Sequence, residues 1–521
     1  MSQKIQFSLN FDEDVEDYLS KKYPDHADYR IINQALDARG APRGKIPRYN
    51  YDVEIIFPGE KFSVYQESFQ SIGPIKEKPI IIGAGPAGLF CALRLLEYGI
   101  PSIIFERGDT AQRRMLSIAR FWRYGEFNTE NNVCFGEGGA GLFSDGKLIT
   151  RVKSPYVQYV MNRLVDFGAP AETAYISNPH LGSNKIRGLI LKMSDYLRSR
   201  GCEIYYNTKI DEIIFDQDQS KVVGLVDNQG RKFESDQVVL ATGHSAKDIY
   251  EHLRMKKIPM AQKDFAIGVR IEHPRKHIDT IQYGNFASKD LGAARYRLSY
   301  EDPTSKKGTY SFCMCPGGYV LSSGTESDGI VVNGMSNFSR SSPWSNSALV
   351  VAVKSGVDFS SDDVLNGLKF TQKIENAAYC LSREKASGKE VPAITVTEFL
   401  DEKINDTKIP KNSCPSGIFK QDLNAILPSF VTKHLRNALL KFNQQMNGYI
   451  HKDALLIAPE TRTSAPVTIL RDKESLESIG IKGFYPCGEG AGYAGGITSA
   501  AVDGVRVAES IVQKVKGKTH V

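Results

Sequence analysis

Cysteines are few and scattered, eight in 521 residues, with only Cys313 and Cys315 close together. That spacing excludes a disulfide framework and fits a reducing compartment. The first residues, Met-Ser-Gln-Lys-Ile-Gln, carry no apolar core of the kind a secretory leader needs. The longest apolar stretch, Pro79 to Leu96, is interrupted by Gly83, Gly85 and Gly88, so it reads as strand, turn and helix, and no membrane span is expected. Basic clusters such as Arg254, Lys256 and Lys257, or Arg275 and Lys276, stay local. With a formal net charge of only +6 and no aromatic-interleaved basic stripe, nucleic-acid binding is not expected. His273 and His277 have a helical ligand spacing, but Pro274 breaks the helix that would align them, so no metal is expected. Together these absences predict a cytoplasmic protein.

What is present is an ordinary globular composition, 41% hydrophobic and 24% charged. The length suits about three domains at roughly 150 residues each. Residues 1–78 read as an N-terminal α/β module, with strand alternation at Lys4–Leu9 and Tyr51–Phe57 and a helix over Glu13–Lys22. Its expected role is to pack on the next domain, with docking of a protein partner as the alternative. Residues 79–264 turn to βαβ texture and include strands near Glu203–Tyr206 and Val222–Asp227, read as a pair. Residues 265–447 are strand-rich and then helical, an inserted mixed sheet-and-helix domain. Residues 448–521 return to the first domain. The fold class is therefore α/β, with a discontinuous Rossmann-like domain.

The sharpest signal is Pro79-Ile-Ile-Ile-Gly-Ala-Gly-Pro-Ala-Gly, an apolar strand running into Gly83, Gly85 and Gly88 and then a helix. The first glycine permits a tight turn, the second lets a pyrophosphate approach the backbone, and the third lets helix and strand pack closely. The pyrophosphate would lie at the helix N-terminus, where free N–H groups favour negative charge. A second strand, Ser102–Phe105, ends in Glu106, an acid placed to accept from a ribose diol. Gly141-x-x-x-x-Gly146-Lys147 mimics a nucleotide-triphosphate loop, but Leu148 stands where a Mg²⁺-binding Ser or Thr is needed. It reads better as a glycine loop beside the cofactor, with Lys147 available to an anionic substrate or to the cofactor's ring. Cys313-Met-Cys315 sits in an expected strand and reads as buried small hydrophobes rather than a redox pair.

Two further segments, Val238-Val-Leu-Ala-Thr-Gly243 and Gly483-Phe-Tyr-Pro-Cys-Gly-Glu489 followed by Gly495-Gly496-Ile-Thr-Ser, bring strand ends and a helix start towards the same place. With the glycine triplet they resemble the glutathione-reductase-like flavoprotein superfamily over residues 79–264 and 448–521. At finer scale Phe135-Gly-Glu-Gly-Gly-Ala-Gly-Leu-Phe-Ser-Asp-Gly-Lys147, Ala241-Thr-Gly-His-Ser-Ala-Lys-Asp248, Cys315-Pro-Gly-Gly318, Val332-Asn-Gly-Met-Ser336 and Cys487-Gly-Glu-Gly-Ala-Gly-Tyr-Ala-Gly-Gly-Ile-Thr498 resemble a family of uncharacterised FAD-dependent dehydrogenases.

The resemblance implies FAD as cofactor and hydride transfer at its ring, exchanged with a small-molecule substrate or electron donor. It implies cofactor contacts from Gly83, Gly85, Pro86, Ala87 and Gly88, from Glu106 and Arg107, and from Gly138, Gly139 and Ala140. Further contacts are implied from Lys209, from Ala241, Thr242 and Gly243, from Gly488 and Glu489, and from Gly495, Gly496 and Ile497. Glu489 stands where Asp is usual. His180, Lys147 and Cys487 are the candidate catalytic residues, each lying in or beside a segment expected near the ring. No second glycine triplet lies between Phe265 and Met446, so a dedicated NAD(P)H domain is not expected. A flavin monooxygenase, an RNA-modifying flavoprotein and a non-catalytic flavin scaffold remain open as alternatives.

Overall fold

The computed structural model describes residues 2–63, 67–72, 75, 77–176, 179–288 and 291–519. Strands Gln3–Asn10, Arg48–Ile56 and Asp28–Asp37 form an antiparallel sheet with Arg48–Ile56 in the middle. The helix Val15–Lys22 starts at Asp14, whose carboxylate accepts from the Glu16 and Asp17 amides. It buries Val15 and Leu19 against Ile5, Leu9, Val53 and Ile55. The strand Asp28–Asp37 is absent from the sequence reading because a register shift between Ile31 and Asn33 breaks its alternation. This module has its own small core and seats on the insert, where the Phe11 ring meets the edge of Phe286 at 6.2 Å.

A five-stranded parallel sheet follows, in the spatial order Phe484–Pro486, Val238–Leu240, Ile80–Ile82, Ile103–Phe105, Glu203–Tyr205. Both faces are covered, which explains why these short strands are almost wholly apolar. Ile81, Ile104, Val239 and Tyr485 point to one side, into helices Pro86–Glu97, Tyr156–Asp166, Gly182–Ser199 and Ile497–Thr519. Ile80, Ile82, Phe105, Val238 and Phe484 point to the other. There they meet the helix Lys247–Met255 and a three-stranded antiparallel sheet of Ile210–Phe215, Val222–Asp227 and Lys232–Glu234. The segments read as one pair near residues 203 and 222 therefore belong to different sheets.

The insert is built on a seven-stranded mixed sheet, in the order Ser299–Glu301, Gly308–Cys315, Trp344–Val353, Phe265–Pro274, Leu455–Glu460, Val391–Thr395, Ile418–Lys420. Helices Asn366–Lys385 and Ser429–Gln445 supply part of its core. Leu455–Glu460 pairs with both Phe265–Pro274 and Val391–Thr395. The expected boundary after residue 447 thus falls one strand short. An apolar strand looks the same from sequence whichever sheet it joins. Among the described residues no helix is long and apolar enough to cross a membrane.

Candidate functional site

The tight turn after Ile80–Ile82 is built from the glycines. Gly83 has φ +107°, and a Cβ there would lie 2.4 Å from the Ala241 carbonyl oxygen. A Cβ on Gly88 would lie 2.0 Å from the Gly83 oxygen, so helix and strand touch at that point. Gly85 differs. Its φ of −80° is ordinary, and a Cβ would meet nothing closer than Gly139 at 4.0 Å. No packing reason accounts for its lack of a side chain, whereas a ligand lying over it would.

The helix Pro86–Glu97 begins with Pro86 and has no side-chain cap, so its first N–H groups face outward. The helix Ile497–Thr519 has no acid in its first turn either. The two pack so closely that a Cβ on Gly504 would sit 2.0 Å from the Ala87 oxygen. A Cβ on Gly488 would lie 2.8 Å from that of Ala87. Asp503 fixes the arrangement. It pairs with Arg471 at 2.6 Å and accepts from the Gly488 amide at 2.8 Å, both in the interior.

A cavity of about 890 Å³ lies between these helix starts, the ends of the parallel strands and the insert. Gly83, Gly85, Pro86 and Ala87 line it, as do Glu106, Arg107, Gly139 and Ala140. So do Lys209, Ala241, Thr242, Gly243, Glu489, Gly495, Gly496, Ile497 and Lys147. Gly88, Gly138 and Gly488 are not on its wall, because they serve the close packing behind it.

Glu106 is 5% exposed and does more than face the cavity. Its carboxylate accepts from the amides of Ala84 at 2.9 Å, Gly108 at 3.0 Å and Gly136 at 2.9 Å. The glycine loop that follows is held from beneath by the fully buried Arg114 guanidinium. That group donates to the carbonyls of Asn132, Val133, Gly136, Glu137 and Gly139 at 2.7 to 3.0 Å. Arg107 lies over the Phe135 ring at 4.2 Å and pairs with Glu130 and Asp248. Lys209 joins Asp248 at 3.2 Å. Glu489 faces His244 across 3.4 Å.

At the end of the cavity covered by the insert, Lys147 donates to the Met314 carbonyl and lies 3.6 Å from Asp145. Asp145 is 1% exposed and is held by Arg340 and Ser336. His180 is bridged to Lys147 through the backbone and stacks on Phe338, but it is not on the cavity wall. Desolvation, aided by Arg340, pushes its pKa down to about 4, which leaves it neutral at physiological pH. Cys487, the third catalytic candidate, is 0% exposed and not on the wall. Burial and the nearby Asp503 raise its thiol pKa well above the ordinary value. The structure therefore removes Cys487 as a reactive thiol. A small residue next to a cofactor turn is there for packing.

Sequence reasoning missed what the insert contributes. Phe312, Cys313, Asn333, Glu460, Arg462 and Thr463 all line the cavity. Arg462 is held by the buried Glu375 at 2.8 Å, which also binds Lys247 and Thr461. The flanking segment Pro-Glu-Thr-Arg-Thr-Ser carries no glycine or charge pattern that would have marked it. Cys313 also departs from its expected setting. It has φ +43° at a register shift between Phe312 and Cys315, and it faces the cavity rather than the core.

A parallel sheet, two touching helices and a cavity lined by the starts of both define a dinucleotide-fold flavoprotein. Residues 77–250 match the family model described as pyridine nucleotide-disulphide oxidoreductase. Residues 264–463 match the model described as FAD-dependent protein, C-terminal domain-like. A Clostridium beijerinckii protein described only as uncharacterized is 42% identical over 502 residues, which is 93% of this chain and 92% of that one.

The chain belongs to the family of FAD-dependent oxidoreductases that these matches define, and its cofactor is FAD. Among solved structures it is similar to the flavin-dependent halogenase CmlS, at TM-score 0.36 and 14% identity over 86% of this chain and 59% of that one. It is also similar to the flavin-dependent brominase Bmp2, at TM-score 0.39 and 13% identity over 85% of this chain and 80% of that one. The residues present fit FAD: Gly85 leaves space that no protein atom claims, and two helix starts with no acid in their first turns, the first of them without a side-chain cap, line one cavity.

Proposed function

We propose that the chain exchanges a hydride with a small organic substrate at the end of the cavity beneath the insert. One observation carries this reading. The start of Ile497–Thr519, which has no acid in its first turn, lines the same cavity as Lys147 and the insert wall, and its Thr498 hydroxyl donates to the carbonyl of Leu148, the residue after Lys147, at 2.7 Å. FAD, when bound, supplies a ring that takes up and returns a hydride equivalent.

The chain's own residues account for the rest. Gly85, Pro86 and Ala87 hold a pyrophosphate at the first helix start, and Glu106 accepts from ribose hydroxyls while bracing the turn. The N–H groups after Gly496 stabilise negative charge as it develops, with no rearrangement required. Lys147, anchored by Met314 and Asp145, presents a cation to an anionic substrate group. Phe312 and Asn333 contribute the insert's side of the cavity wall. His180 acts through the backbone segment it shares with Lys147 and not by touching the substrate.

The test is an anaerobic stopped-flow screen of NADH, NADPH and pools of small metabolites against the holoprotein, read by loss of flavin absorbance. Reduction by a small-molecule donor, slowed when the donor hydrogen is deuterium, is the expected result. A holoprotein that only dithionite reduces would overturn the proposal in favour of a non-catalytic flavin scaffold.

A further inference from the structure

Where the insert meets the parallel-sheet domain, one buried carboxylate holds two cations. Glu375, on the helix Asn366–Lys385, is 1% exposed. Its carboxylate accepts from the Arg462 Nε at 3.1 Å and Nη2 at 2.8 Å, and from the Thr461 hydroxyl at 2.7 Å. It also accepts at 3.2 Å from Lys247, the first residue of the helix Lys247–Met255. Burial works against this charge, but Arg462 and Lys247 outweigh it and hold the Glu375 pKa down to about 2. Glu326, partly exposed, lies 3.9 Å from Lys247 on its other side.

Arg462 differs from the other deeply placed arginines. Arg114 and Arg270 stand behind the cavity wall and direct their donors into the protein, whereas Arg462 stands on the wall. Its two bonds to Glu375 fix the plane of the guanidinium, and Nη1 donates to the Thr325 hydroxyl at 2.7 Å. An arginine has five N–H donors. These three bonds leave the others without a protein acceptor among the described residues. A guanidinium already fixed in plane presents a fork that fits a phosphate or carboxylate, with little further side-chain freedom to lose. The network also reaches the cofactor turn. Lys247 follows closely on Ala241, Thr242 and Gly243, which line the cavity, and the Ala241 carbonyl crowds Gly83.

We propose that Arg462 is the insert's oxyanion-binding residue, donating its remaining N–H groups to a phosphate or carboxylate oxygen of whatever fills the cavity. The two sources of that oxygen are the pyrophosphate of FAD and a carboxylate of the substrate. Through Glu375 and Lys247 the same contact ties the insert to the domain that holds the cofactor. It is a binding contact and needs no turnover, so it stands or falls apart from the hydride exchange proposed above.

The test uses Arg462→Met, which keeps much of the side chain's reach and removes its charge. Glu375 stays paired with Lys247 and bonded to Thr461, so no buried carboxylate is left bare and the fold should hold. In the first arm, FAD release from the holoprotein after dilution is followed by flavin fluorescence. Release faster than wild type by about tenfold or more assigns the cofactor's phosphate. In the second arm the FAD-loaded proteins are titrated with acetate, benzoate and succinate, read by the change in flavin absorbance, with the matching amides as neutral controls. Carboxylate binding that weakens about tenfold or more in the variant, with no binding of the amides, assigns the substrate's carboxylate. Either result supports the proposal. Equal FAD release, together with carboxylate titrations that match in the two proteins or show no binding in either, would overturn it. So would faster release if the FAD-free variant loses as much thermal stability as the FAD-loaded one, because Arg462 is then a tie between domains and nothing more. Should Arg462→Met fail to fold, Arg462→Lys takes its place: it keeps the charge, cannot form the fork, and is judged by the same outcomes.

Discussion

Placing a carboxylate in the first turn of Ile497–Thr519 tests whether that helix tunes the cofactor. Thr498 is unsuitable, being 2% exposed and donating to the Leu148 carbonyl at 2.7 Å. Ser499 is the better site. It lies on the cavity wall, and its hydroxyl accepts from the Gly495 amide at 3.1 Å. An aspartate carboxylate can keep that bond but not the one the hydroxyl donates to the Gly496 carbonyl at 3.0 Å, so Ser499→Asp adds charge at the cost of one local hydrogen bond. A helix start carries about half a positive charge, and an acid in its first turn interacts with it by about 1 kcal/mol when exposed and up to about 2 when partly buried. In the proposed function that positive end stabilises negative charge on the reduced cofactor. Cancelling it should disfavour the reduced state by about 1–2 kcal/mol. For a two-electron couple this lowers the reduction potential by roughly 20–45 mV. Ser499→Asn, similar in shape and neutral, should leave the potential near that of wild type. Spectroelectrochemical titration of the three FAD-loaded proteins gives the answer. Equal potentials for Ser499→Asp and Ser499→Asn would refute the argument that the helix start addresses the ring.

Gly85 and Gly88 should respond differently to a side chain. Gly85→Val has an allowed backbone and open space, so its circular dichroism should match wild type while FAD affinity falls tenfold or more. Gly88→Ala should fail to fold, because its methyl would meet the Gly83 oxygen at 2.0 Å. A Gly85→Val protein with full FAD content would remove the glycine from the cofactor's path. Glu272 gives a pH dependence. It is 1% exposed, accepts hydrogen bonds from the Ser413 amide and hydroxyl with no cation paired to it among the described residues, and burial raises its pKa from 4.5 to about 7. The folded chain thus keeps a proton that the unfolded chain loses. This stabilisation is complete below the unfolded value of 4.5 and is lost as pH rises through about 7. The loss is of order 3 kcal/mol. Glu272→Gln should remove it, so chemical denaturation should show the variant more stable than wild type near pH 8 and not near pH 4. An equal gain at both would disprove the assignment.

The cofactor turn was legible in the sequence because its constraints are local. The strand, the glycine spacing and Glu106 all fall within one βαβ unit, where Gly88 packs on Gly83 and Glu106 holds the Ala84 amide, although Gly83 also meets the distant Ala241. The helix start after Gly496 was legible for the same reason. The supports of the site were not. Arg114 under the loop from Asn132 to Gly139, Asp503 with Arg471, and Glu375 with Arg462 are long-range pairings, and an isolated Arg or Asp looks the same exposed or buried. The division between domains was misread at Leu455–Glu460, since apolar content does not say which sheet a strand joins. Cys487 and Cys313 were misread in opposite directions. Nearness to a cofactor motif made the buried Cys487 look reactive, while strand alternation hid the kink that turns Cys313 towards the cavity.

The central claim is that one FAD occupies the cavity of each folded chain, and the most direct measurement is of the pigment itself. Protein purified without added flavin is precipitated with acid, and the released chromophore is identified by mass and counted against protein. The account predicts FAD at one per chain. Release of FMN or of a nicotinamide nucleotide, or no chromophore from well-folded protein that also fails to take up added FAD, would contradict it.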